Sequence, residues 1–182
     1  MTIVNKDTCD FFSIQNTPYY LVDLPSVEAN YTEFKDTWKK YFPKVSIAYS
    51  VKTNPLSNIL QLLAKLGAYA DVTSQLELDW SISDGFAGNN IFLNGSWKNE
   101  ELLRKAIKLQ SHIQVDSLQE LHRLLILSNG IPVSVGLRIN VNQITRSWGN
   151  RFGIGTQQFN EAITILQPVS YTHLRAHETL TD

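Results

Sequence analysis

The sequence predicts an α/β chain with a parallel sheet: part of a (β/α)8 TIM-type barrel or an open doubly wound sheet. Three observations carry this. Five short apolar runs, at residues 45–50, 69–73, 90–93, 112–115 and 133–139, each precede a stripe of apolar residues at helical spacing. Their starts lie about 20–25 residues apart, the period of βα units, whose right-handed crossovers build parallel sheets. Neither GxGxxG nor GxxxxGK followed by Ser or Thr occurs, so both nucleotide-loop fingerprints are absent. A complete barrel takes about 250 residues. On the barrel reading, about five of its βα units fit in the 182 residues and about three are missing.

The elements follow in order. Residues 17–23, TPYYLVD, are aromatic and β-branched and read as a strand. In residues 24–42, Val27, Tyr31, Phe34, Trp38 and Phe42 recur every three or four positions, a helical face with Ser26 as its candidate N-cap. Helices are then expected at 58–65 (Ile59, Leu60, Leu62, Leu63), 75–82 (Leu76, Leu78, Trp80) and 99–109 (Leu102, Leu103, Ala106, Ile107). Two more are expected at 117–127 (Leu118, Leu121, Leu124, Leu125) and 159–166 (Ala162, Ile163, Ile165, Leu166). Gly67, Gly85, Gly95 and Gly130 punctuate the junctions.

Residues 168–182, PVSYTHLRAHETLTD, break this order, with no apolar period of helix or strand. His173 and His177 are four residues apart, a spacing that one helical face could turn into a metal site. A different reading is more specific. VSYTHLRAHET resembles the translation of a transposase adapter used in preparing sequencing libraries. Residues 1–168 are therefore read as the N-terminal part of the barrel, and 169–182 as a non-native tail left out of fold reasoning.

Composition narrows the function classes. The net charge is −1, with no basic stretch that suggests nucleic acid. The single cysteine, Cys9, leaves no disulfide framework and no thiolate metal cluster. A reducing cytoplasm fits this, and the opening MTIVNKDTCDFF lacks the layout of a signal peptide. The apolar runs fall far short of a membrane span. A cytoplasmic chain with no membrane or nucleic-acid partner is expected.

In a parallel barrel, chemistry collects at the carboxyl ends of the strands. Lys52 follows the first run, in YSVKTNP. It is either a solvated surface cation or an amine aimed at a cofactor. Asp71 lies inside the run YADVT, where a carboxylate is costly to bury unless paired. Arg138, inside VSVGLRI, follows the same logic, since a buried guanidinium needs a carboxylate or phosphate. For both, a functional role and a structural ion pair remain open. Ser74 with Glu77, and Asp116-Ser117 with Glu120, have capping-box spacing and read as helix caps. Asn94, Ser96 and Asn140 complete the strand ends, with Arg151-Phe152-Gly153 beyond.

These stretches together resemble the fold-type III pyridoxal-phosphate-dependent decarboxylases, the diaminopimelate, ornithine and arginine decarboxylase family. YSVKTN is similar to that family's lysine signature. NTPYYLVD, GAYADVTSQLEL, IFLNGSWKNEELLRKAI, IQVDSLQELHRL and then GLRIN with NRFGIG agree with it in order, over about residues 15–167. The resemblance implies a (β/α)8 barrel in which Lys52 binds pyridoxal 5'-phosphate covalently and is the catalytic amine. Asp71 would lie close to the cofactor and Lys52, and Arg138 by the pyridine ring. Arg151-Phe152-Gly153 would shape a loop. The resemblance also implies an amino-acid substrate and a homodimer with a shared active site.

Ser50 stands where the family usually has alanine and Thr53 where it has alanine or cysteine; both are small, so the lysine's setting survives, but they loosen the substrate assignment. The family's stacking histidine, glycine-rich phosphate loop, pyridine-nitrogen partner and β-sandwich domain with its cysteine all lie downstream of the matched stretch. The 182 residues alone are therefore expected to be inactive. Diaminopimelate is the first substrate expected. Ornithine, arginine and carboxynorspermidine decarboxylases are the alternatives, and a pyridoxal-phosphate-binding protein or an amino-acid racemase is the alternative of another class.

Overall fold

A computed structural model of the chain describes residues 21–140, 152–166 and 174–176. Helix α1 (Leu24–Lys39) leads into β1 (Ala48–Ser50), a 3-10 turn (Val51–Thr53) and α2 (Ser57–Lys65). Strand β2 (Tyr69–Val72) precedes α3 (Gln75–Ser83), and β3 (Ile91–Leu93) precedes α4 (Glu100–Lys108). Then come β4 (His112–Val115), α5 (Leu118–Ser128), β5 (Ser134–Leu137), β6 (Ile139–Asn140), β7 (Ile154–Gly155), α6 (Thr156–Leu166) and β8 (Leu174–Ala176).

Strands β1 to β5 are hydrogen-bonded in chain order, every neighbouring pair parallel. A helix follows each of them but β5, whose chain passes through the short β6–β7 pair before α6. This is the expected partial (β/α)8 barrel.

Period-two alternation sorts the sheet faces. Ala70, Val72, Ile113, Val115, Val135 and Leu137 are buried under the helices. Leu60, Leu63, Leu78, Leu103, Ala106, Leu121 and Leu124 meet them from the helical side. The opposite, concave face carries the other set. Ser50, Asp71, Phe92, His112 and Ser134 stand side by side in register across five strands. The same alternation puts Gln114 on that face, where it pairs with Gly136.

Helix caps follow the sequence, with one correction. Ser26 was the expected cap of α1, but Asp23 caps it: its carboxylate accepts from the Ser26 amide at 3.2 Å and from the Ser26 hydroxyl. Pro25 in the first turn needs no amide partner there. Ser74, Asn99 and Ser117 cap α3, α4 and α5 through their side chains. Helix α4 also has Glu100 and Glu101 in its first turn and Lys105 and Lys108 in its last, the order its dipole favours.

Three further expectations need correction. The run 45–50 contributes only Ala48–Ser50 as strand, although the Ile47 carbonyl already accepts from the Tyr69 amide at 2.8 Å. The run 133–139 is not one strand. At Arg138 the chain changes partners: its amide donates to Val115 of β4, while its carbonyl accepts from Ile154 of β7. Third, the tail was expected to hold no strand, yet Leu174–Ala176 pairs parallel with β5, Gly136 opposite Arg175. The edge of β5 offers a row of backbone donors and acceptors, and pairing along it needs no apolar period in the partner strand. Of the strand expected at 17–23, Leu21, Val22 and Asp23 form none and lead directly into α1; residues 17–20, with Cys9, Arg151, His173 and His177, lie outside the described residues.

Candidate active site

The lysine of YSVKTNP sits where β1 tightens into the 3-10 turn. Val51 is wholly buried and anchors the turn, while Lys52, next to it, is exposed. The Tyr49 hydroxyl donates to the Asn54 carbonyl at 3.2 Å, and Thr53 Oγ1 donates to the Ser50 carbonyl. The Asn54 side chain accepts from the Leu56 amide, which fixes the approach to Pro55 and α2. Burial pushes the Tyr49 phenol above its ordinary pKa, so it remains a protonated donor across the neutral range. Every one of these contacts holds backbone. The lysine side chain is left at the mouth of the sheet.

Asp71 is half-buried on the concave face, paired in register with Ser50, two residues before Lys52. The Asn94 amide group donates to its Oδ1. Beyond β2, Glu77 reaches back to accept from the Thr73 amide at 2.7 Å while Ser74 Oγ accepts from the Glu77 amide. Ser74 is therefore structural, as its spacing suggests.

Arg138 differs from the expectation of a buried guanidinium. Its side chain is 45% exposed, because it stands at the open end of β5, where the chain turns away. It still has a carboxylate partner. Nη1 donates to Asp116 Oδ1 at 3.0 Å, and the guanidinium lies 4.8 Å from the centre of the Phe152 ring. Asp116 was read with Ser117 as a cap. Ser117 alone does the capping, accepting from the Glu120 amide at 3.2 Å. Asp116 Oδ2 instead accepts from the Gly153 amide at 3.2 Å. Gly153 has φ +87°, and a Cβ there would stand 3.0 Å from the Arg138 carbonyl. Phe152 and Gly153 thus both lie against Arg138.

Sequence reasoning missed Lys98. Its side chain is fully buried. Its ammonium donates to the carbonyls of Gly95 and Gln114, both at 2.7 Å, and to both oxygens of Glu120. Burial pulls this ammonium below its ordinary pKa and Glu120 pulls it back. Also missed were the stacked rings of Phe92 and His112, 4.8 Å apart, with Tyr69 beside them. They line a cavity of about 350 Å³ with Gln114 and Ser134. That cavity lies toward the amino ends of the strands, away from Lys52. It is the open interior of the partial barrel, not the strand-end site.

The strand-end groups suit a phosphorylated aromatic aldehyde. An exposed amine stands just past one strand end, two residues beyond Ser50, whose register partner Asp71 is a carboxylate held by the Asn94 side-chain amide. A guanidinium already stacked on an aromatic ring stands at the far side of the sheet. Among the described residues no cluster of His, Cys, Asp and Glu could hold a metal ion.

The parallel βα order defines the N-terminal part of a (β/α)8 barrel, with Lys52, Asp71 and Arg138 toward the carboxyl ends of its strands. Residues 29–174 match the pyridoxal binding domain of the pyridoxal-dependent decarboxylases, and the chain belongs to that family. The match runs past the expected boundary at residue 168. Helicobacter pylori diaminopimelate decarboxylase is 29% identical over 178 residues, covering 88% of this chain and 44% of that protein. Its crystal structure in complex with L-lysine superposes with a TM-score of 0.78 at 25% identity, over 92% of this chain and 44% of the other. Saccharomyces cerevisiae ornithine decarboxylase is 29% identical over 122 residues, 66% of this chain and 25% of that protein. The chain thus spans less than half the length of these relatives. No described helix is long and apolar enough to cross a membrane.

Proposed function

We propose that this chain is the N-terminal portion of a pyridoxal-phosphate-dependent amino-acid decarboxylase, with diaminopimelate as its substrate. The observation that carries the reading is Lys52 in the turn after β1, two residues past Ser50, the register partner of Asp71, in a chain of the pyridoxal-binding family. The names of the relatives and the crystal structure with L-lysine support a diamino substrate. Residues 1–168 carry this reading.

In the proposed site, Lys52 holds the cofactor, and Asp71 and Arg138 lie beside it. Pyridoxal phosphate, when bound, supplies the electron sink for the pair left by departing carbon dioxide. The chain's own residues do the rest. The turn anchored by Val51 and Tyr49 fixes the lysine's backbone, so its amine is presented from one place. A lysine amine must lose its proton to act as a nucleophile, and once free it can carry a proton at Nζ. The Asp71 carboxylate, oriented by Asn94 on the strand next to the lysine's, would face the cofactor. Arg138 presents a flat cationic face already stacked on Phe152.

The reading includes a cytoplasmic homodimer with a shared active site, which sedimentation of the full-length enzyme tests. The substrate is tested by carbon dioxide release from meso-diaminopimelate, ornithine, arginine and lysine in parallel. Release from diaminopimelate alone supports the assignment. Release from ornithine instead would favour the branch of the yeast relative, and racemisation without release would reject a decarboxylase.

A further inference from the structure

The buried lysine has no part in that chemistry. Its three donors are all used, on Gly95, Gln114 and Glu120. Glu120 is itself buried and passes the connection on: its Oε2 accepts from the Asp116 amide at 2.8 Å. Asp116 then holds Arg138 through one carboxylate oxygen and the Gly153 amide through the other. An unbroken line of contacts therefore runs from the loop after β3 to the residue at the end of β5.

The same helix position after β2 gives a comparison within the molecule. Glu77 also accepts from the amide before the cap, but no lysine among the described residues holds it there, and it is not fully buried. A glutamate can thus complete this cap without a cation. Lys98 adds something the cap does not need. It fixes a buried carboxylate in orientation through both of its oxygens, next to the residue that grips Arg138.

We propose that Lys98 and Glu120 are a positioning pair that sets Asp116, and through it Arg138, for cofactor binding. The proposal rests on the pyridoxal-phosphate reading above. Removing one member of a buried ion pair strands the other, whereas an apolar pair of similar volume can restore stability. This separates positioning from folding.

The test uses the full-length enzyme with Lys98→Met, Lys98→Met/Glu120→Met, Lys98→Met/Glu120→Gln and Glu120→Asp. Apoprotein melting, cofactor affinity, and amide hydrogen exchange at residues 116 and 153 of the apoprotein are measured for each. Lys98→Met should lower the Tm by more than about 5 °C. The methionine pair should regain the Tm, yet bind pyridoxal phosphate about tenfold to a hundredfold more weakly and exchange faster at both amides. The Met/Gln pair keeps an acceptor for the Asp116 amide and should recover much of the affinity. Glu120→Asp keeps the charge but loses the reach, so it should fold and bind the cofactor weakly.

Wild-type affinity and exchange in the methionine pair would overturn the proposal. If that pair does not fold, wild-type affinity in Glu120→Asp would overturn it. If the unaltered enzyme takes up no pyridoxal phosphate, the functional reading fails instead. Amide exchange at residues 116 and 153 then decides the positioning claim by itself.

Discussion

The contact between Asp116 and Arg138 can be weighed before it is measured. At 3.0 Å, two unit charges attract by about 1.4 kcal/mol at the dielectric constant of water and about 5.5 kcal/mol at an effective value near 20. Asp116 is 9% exposed but the Arg138 side chain is 45% exposed. The pair therefore sits toward the screened limit, and ordering a long side chain offsets part of the gain. A coupling of about 1–2 kcal/mol follows. The assay is a double-mutant cycle with Asp116→Ala, Arg138→Met and the double variant, each unfolded by urea as the full-length apoenzyme. Loss of the Gly153 hydrogen bond is common to both Asp116 variants and cancels in the cycle. The coupling should shrink at about 1 M salt, where the Debye length is about 3 Å. A coupling below about 0.3 kcal/mol at low salt, or one unchanged by salt, would refute the reasoning.

Other consequences can be checked in the same protein. A Cβ on Gly88 would stand 2.1 Å from the Leu109 carbonyl, a backbone atom that cannot swing aside. Gly88→Ala should therefore cost about 1–3 kcal/mol in urea unfolding, whereas Gly67→Ala, with open space around a positive φ, should cost about 1 kcal/mol. Leu103 is fully buried between α4 and the sheet, and Leu103→Ala should lose about 2–5 kcal/mol by the same measurement. Hydrogen bonds from Ser26 hold the Asp23 carboxyl below its ordinary value of 3.8. A depressed folded pKa stabilises above the unfolded value and is lost as pH falls through the folded one. The stability difference between the unaltered protein and Asp23→Ala should accordingly be full at neutral pH and fade below about pH 4, as urea unfolding across pH would show.

Local pattern made the barrel legible and long-range contact did not. Helices α2 to α6 announced themselves through Leu60, Leu103, Leu121 and their neighbours, because a stripe facing the sheet must be apolar. Capping spacing located Ser74 and Ser117 for the same local reason. The break in the last run was hidden because Arg138 changes hydrogen-bond partners from β4 to β7, and β7 lies outside that run. Asp116 looked like a cap for want of any sequence sign that Arg138 and Gly153 would reach it.

Lys98 was the largest omission. In NGSWKNEE it reads as a polar loop residue beside a helix start, and its partner Glu120 is on another helix. Only a count of donors around a buried charge reveals such a pair. The strand Leu174–Ala176 was missed for the opposite reason: its pairing depends on the open edge of β5 and not on its own composition.

The lysine at the centre of the account can be tested directly. The full-length enzyme is loaded with pyridoxal phosphate, reduced with borohydride to fix the cofactor to whatever amine holds it, digested and mapped. The account predicts a single modified peptide, carrying the label on Lys52. A label on Lys98 or any other lysine, or no label on an enzyme that still decarboxylates, would contradict it.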